Sequence, residues 1–126
     1  MQSFLFVGVG SALGAMGRYG VSLLVARVWT VAFPVATLLV NILGSILMGV
    51  LIGLLARFTP DWAAEARLFL AVGVLGGFTT FSSFSLDAIT LFERGDWLQA
   101  AAYVLLSVVL CLGGLYLGLL STRGMG

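Results

Sequence analysis

No charged side chain stands between Arg27 and Arg57. A soluble domain carries about a quarter charged residues to face water, so a run of this length has to face something else. The rest of the chain agrees. Apolar residues make up 61% of 126, charged residues 9%, and mean hydropathy is +1.18. A helix crosses hydrocarbon with about 20 residues, and backbone in lipid must satisfy its own hydrogen bonds, which favours helices. The chain is therefore expected to be all-α, a single integral membrane domain over 1–126 with four transmembrane helices near 4–26, 35–56, 68–92 and 97–120. No room is left for a soluble domain.

The charges mark where the chain leaves the bilayer. Arg27 closes the first span, and Trp29, Thr30 and Pro34 read as a turn and interfacial anchor. The segment 57–67 holds Arg57, Pro60, Asp61, Trp62, Glu65 and Arg67, an extramembrane loop. Glu93, Arg94, Gly95 and Asp96 form a polar turn, and Arg123 lies in a short tail. Trp29, Trp62 and Trp97 all fall at boundaries, as an aromatic belt requires. The opening Met-Gln-Ser lacks a basic n-region, so the first apolar stretch is read as a span and not a removable signal.

With four spans, Arg57, Arg67 and Arg123 share one side, and Arg27 and Arg94 the other. Arginine and lysine asymmetry sets orientation, and three against two is nearly balanced. Either this small bias suffices, or the chain inserts both ways up. In the second case two copies could close as an antiparallel two-fold dimer.

The sequence argues against an enzyme. Histidine is absent, which removes the commonest general base and metal ligand. Cys111 is alone, so cysteine builds neither a disulfide nor a metal site. Asp87 is the sole carboxylate within the last turns of a span, placed either at the interface or in a vestibule. No nucleic-acid partner is expected.

Polar groups inside spans are expensive and mark function by default. In the first span Gly10, Gly14 and Arg18 share a face, the glycines allowing close helix approach; Arg18 either snorkels to the interface or is buried. In the second, Thr37, Asn41, Ser45, Gly49 and Gly53 repeat every four residues. Asn41 either makes an interhelical hydrogen bond or aims its amide into a water-filled path. Tyr103, Ser107 and Cys111 form a similar stripe in the fourth span. The third span contains Gly76-Gly-Phe-Thr-Thr-Phe-Ser-Ser-Phe-Ser85. Glycine costs about 1 kcal/mol per helix position, and hydroxyls can satisfy freed backbone groups, so a mid-membrane break is expected near Gly76–Thr80. Such breaks occur where backbone is buried or lines an ion site. Phe81 and Phe84 share a face, either as packing or as ring edges whose partial positive charge meets a small anion.

These residues resemble the Fluc (CrcB) family of bacterial fluoride channels. The likeness lies in Gly14-xxx-Arg18, Asn41-Ile-Leu-Gly44-Ser45, the third-span motif 76–85 and Tyr103-xxx-Ser107, and it covers essentially the whole chain. It implies a dual-topology antiparallel homodimer in the bacterial inner membrane, with two pores that passively export cytoplasmic fluoride and give fluoride resistance. By similarity, Phe81, Phe84, Asn41, Tyr103, Ser83, Ser107 and Thr37 line the fluoride pore, and Arg18 sits in the vestibule. Main-chain carbonyls of Gly76 and Thr79 from both subunits hold a structural sodium ion, and no organic cofactor is implied. Two positions depart from the family pattern. Asp87 stands where glutamate is more frequent, and Cys111 where relatives can have serine.

Two rivals remain at this stage. A proton-coupled small multidrug-type exporter also has four helices, but it needs a glutamate in its first span, which here has no acid. The other is a non-transporting assembly subunit whose polar stripes only join helices.

Overall fold

The computed structural model describes residues 1–31 and 33–123; the last three residues of the expected tail lie outside them. Among the described residues there is no strand, and four helical runs are long and apolar enough to cross a membrane. The all-helical, four-span fold expected from the sequence is the one observed.

The first run is α1 (Gln2–Val28), which ends where Arg27 can lie beside its last carbonyls. The second is α2 (Val35–Phe58), started after Pro34, a residue whose missing N–H costs nothing at a helix start. It stops at Thr59, held at φ +40° with its N–H on the Leu55 carbonyl. The last is α6 (Trp97–Arg123), reached through a turn in which Gly95 takes φ +84°, backbone that other residues rarely adopt. An Arg94–Asp96 ion pair of 3.2 Å closes that turn on the surface.

The third run, Ala63–Glu93, is composite. It begins as α3 (Ala63–Ala66), widens into a π-helix over Arg67–Leu75, and tightens again as α4 (Gly76–Phe78). The chain then extends at Thr79 (φ −85°, ψ 158°) and Thr80 (φ −152°, ψ 118°), and helix resumes as α5 (Phe81–Glu93). The break lies within the expected interval, at its threonine end.

Gly77 stays helical because it serves close packing and not a bend. A Cβ on Gly77 would run into the Ser11 backbone, and one on Gly14 into the Val74 carbonyl, with the Phe78 amide nitrogen 2.8 Å away. Gly10 and Gly73 meet across the same seam, where a Cβ on Gly73 would lie 3.0 Å from the Gly10 Cα. Close backbone approach of this kind is how membrane helices gain dispersion contacts without a hydrophobic driving force.

A second seam joins α2 to α6. Gly49 faces the Leu115 backbone and Gly53 faces the Thr122 side chain, while Gly118 of α6 faces Ile46 and Val50. Arg57 then reaches across to donate from Nη1 to the Thr122 carbonyl at 3.4 Å, near the end of α6. The four-residue stripe on α2 is thus divided by task. Its glycines pack α6, Asn41 and Ser45 lie beside the break in the third run, and Thr37 adjoins Tyr103 of α6. A small buried cluster of Leu91, Ala100 and Tyr103, with Phe33, Leu38, Phe84 and Ala88 against it, ties α5 to the start of α6.

Candidate functional site

The broken helix leaves backbone groups without helical partners, and two side chains from other spans take them up. Arg18 of α1 donates from Nε to the Gly77 carbonyl at 3.1 Å. Asn41 of α2 makes a reciprocal pair with Thr80. Its Oδ1 accepts from the Thr80 N–H at 2.8 Å, and its Nδ2 donates to the Thr80 carbonyl at 3.0 Å. Only one orientation of the amide satisfies both bonds, so the pairing fixes which way Asn41 points. The Thr80 hydroxyl accepts from the Ser83 N–H at 3.2 Å, capping α5. Thr79 adds its own closure, its hydroxyl donating to the Leu75 carbonyl at 3.0 Å.

Beside this break lies an open groove of about 400 Å³. Asn41 and Ser45 line it from α2, Thr79 to Phe81 and Phe84 from the third run, and Ser107 and Cys111 from α6. The Phe81 and Phe84 rings lie 5.4 Å apart, tilted by 43°. Phe81 stands on the outer side, 76% exposed. Phe84 continues inward to the fully buried Tyr103, whose ring is 5.2 Å away. The Tyr103 hydroxyl donates to Asp87 Oδ2 at 3.1 Å, and Thr37 adjoins the same phenol. Phe33 meets Tyr103 edge-on, with ring centroids 5.6 Å apart.

Ser107 is the chemical outlier. Its side-chain oxygen is buried and has no hydrogen-bond partner among the described residues, and the residue is only 6% exposed. A buried hydroxyl is ordinarily paired because leaving it unmade costs about 1–3 kcal/mol. The residue itself borders the groove.

The sequence-derived residues therefore separate. Asn41, Phe81, Phe84 and Ser107 share the groove, and Tyr103 and Thr37 extend from its inner end. Thr79 also borders it, whereas Gly76 does not. Ser83 lies outside the lining and contributes its main-chain N–H to the α5 cap. Arg18 sits on the α4 side of the break. Asp87 accepts the hydrogen bond of the buried Tyr103 hydroxyl. Sequence reasoning left Ser45, Thr80 and Cys111 off the site. The signal for Ser45 was its place one turn beyond Asn41 on the same stripe, and for Cys111 one turn beyond Ser107.

Four apolar helices, one of them broken beside a largely apolar groove that carries an amide and a few hydroxyls, define a multi-pass membrane protein. A family model described as "CrcB-like protein, Camphor Resistance (CrcB)" matches residues 5–119, and the chain belongs to that family. Among its relatives is a protein of Cereibacter sphaeroides named "Fluoride-specific ion channel FluC", 52% identical over 124 residues, with 98% of this chain and 97% of the relative covered. Proteins of the same name from Paracoccus denitrificans (50% over 124 residues, 98% and 97% covered) and Ruminiclostridium cellulolyticum (46% over 118 residues, 94% and 90% covered) are similar over nearly their full lengths.

Proposed function

We propose that the chain is a fluoride-selective ion channel that lets cytoplasmic fluoride out passively across the inner membrane. The observation that carries this is the groove at the helix break, where an amide, hydroxyls and two phenylalanine rings converge without a fixed cation. Fluoride is small and strongly hydrated, so a path must replace its water with well-placed donors. Amide N–H, hydroxyl and the positive edges of aromatic rings supply that replacement in a narrow space. A lysine or arginine in the groove would hold the anion too tightly, and conduction needs binding weak enough to leave. The names of the relatives support the same reading.

In this reading Phe81 and Phe84 offer ring edges, Asn41 and Ser107 offer polar atoms, and Tyr103 with Thr37 and Asp87 continues the path inward. Arg18 acts at the vestibule side, and Ser83 takes part through the cap it helps form. The functional unit is a dual-topology antiparallel homodimer with two pores. Its support is the near-balanced arginine count and the exposed Phe81 ring at the groove's open side.

A sodium ion would be held between the copies by the Gly76 and Thr79 carbonyls, tying the two broken helices together. The donor set fits. Thr80, whose N–H would close the helical turn on Gly76, gives that N–H to Asn41 instead, and Thr79 has left helical conformation.

Proteoliposomes loaded with fluoride or chloride test the function. Rapid fluoride efflux independent of a proton gradient, with negligible chloride efflux, is expected. Fluoride flux that requires a proton gradient would instead favour the exporter, and no flux the assembly subunit.

A further inference from the structure

We infer that Asn41 is a positioning residue for the broken helix, acting through the Thr80 main chain and not chiefly by touching the ion. The inference rests on the channel reading and deepens it. In a continuous α-helix the Thr80 N–H would bond to the Gly76 carbonyl, four residues back. It bonds to Asn41 Oδ1 at 2.8 Å instead, and the Asn41 Nδ2 takes the Thr80 carbonyl at 3.0 Å. Asn41 thus imitates a neighbouring strand for a single residue, and extended backbone is what such pairing requires; Thr80 has φ −152° and ψ 118°.

The consequences run in both directions along the chain. Toward the N-terminus the Gly76 carbonyl is released from its helical donor. Toward the C-terminus Thr80 is set as the cap of α5, its hydroxyl on the Ser83 N–H, so that Phe81 begins the new helix and Phe84 follows one turn later. Both pore rings therefore inherit their positions from one amide on another span. Without Asn41 two backbone groups would be unpaired at a depth where water is scarce, and the chain's cheapest remedy is to close the turn on Gly76. That closure would rotate α5 and with it both rings.

The test uses the full chain in proteoliposomes, assembled by semisynthesis. Asn41→Leu removes both bonds at nearly constant volume. Replacing Thr80 by its α-hydroxy acid turns its N–H into an ester oxygen and leaves Asn41 intact. Each change is expected to lower fluoride efflux at least about tenfold, the scale of one or two buried hydrogen bonds. The two together should cost no more than about twofold beyond the larger single effect, because they break one device. An ester chain that conducts like the unmodified one beside a non-conducting Asn41→Leu would overturn the inference, since Asn41 would then act by contact with the ion. The ester also makes the Thr79 carbonyl a weaker acceptor, so its lost flux counts for the inference only beside a matching loss in Asn41→Leu, or in Asn41→Ala where Asn41→Leu fails to assemble; retained flux in the ester chain overturns it. A second readout needs no transport. A ¹³C-labelled Gly76 carbonyl in sodium-free buffer should absorb at lower infrared frequency in Asn41→Leu than in the unmodified chain, as Thr80 closes on it; an unchanged band overturns the inference. Failure of the unmodified chain to conduct fluoride would remove the channel reading while leaving this measurement intact.

Discussion

The seam between α1 and the third run offers a quantitative test, because one helix carries glycines with opposite surroundings. At Gly14 an added Cβ would meet the Val74 carbonyl group, with its carbon at 2.9 Å, and the Phe78 nitrogen at 2.8 Å. These are backbone atoms, so no rotamer change can relieve them and the helices must separate. Overpacking of this kind costs about 1–3 kcal/mol, and three backbone contacts inside 3 Å place Gly14→Ala toward the upper end. Gly8 has nothing within 4 Å. There the same substitution meets only the gain in helix propensity, at most about 1 kcal/mol. That gain shrinks further because spans remain helical in the membrane even when they come apart. The expected difference between Gly14→Ala and Gly8→Ala is therefore about 2–3 kcal/mol, read as the shift in unfolding midpoint in a detergent titration with matched slopes. Fluoride flux should fall in Gly14→Ala as well, since α4 and the break move with Val74 and Phe78. A Gly14→Ala chain as stable as the unmodified one would refute the close-packing account. A loss at Gly8 as large as at Gly14 would show that a second copy covers that face.

Three further outcomes follow from the site. Phe81→Ile should abolish or cripple fluoride flux while the protein still runs in gel filtration at the size of the unmodified chain; undiminished flux would mean the ring edge is not used. Ser107→Ala removes a buried hydroxyl that has no partner among the described residues, so stability should stay level or rise by up to about 1 kcal/mol while fluoride efflux drops; a clear loss of stability would show a hidden structural bond. Tyr103→Phe leaves Asp87 without its donor, whereas Asp87→Asn keeps an acceptor for the phenol. Efflux should suffer more in the first than in the second, and the reverse order would assign the charge itself to the path.

The sequence showed the four spans because charge is where a membrane chain meets water, and no tertiary contact can overrule that cost. It located the helix break to within five residues but weighted the wrong ones. Gly76 and Gly77 are poor helix formers in isolation, yet Gly77 remains helical because α1 presses on it, a fact that lives in the partner span. Asn41 was legible as important and illegible in its bonding. Its side chain pairs with a residue 39 positions away, a register that depends on how two helices slide against each other. Ser83 was read as a lining hydroxyl by its place in the motif, whereas the helix start at Phe81 turns its main chain to Thr80 and sets its side chain outside the groove. The unpartnered state of Ser107 could not be read at all, since only packing shows which hydroxyls go without.

The two side chains that hold the irregular segment, Arg18 and Asn41, both precede it in the chain. A ribosome delivering this protein to the membrane therefore releases the holders before the piece they hold. The first two helices can wait in the lipid as a fixed jig, and the third arrives to find donors and acceptors already in place for the turn it could not make alone.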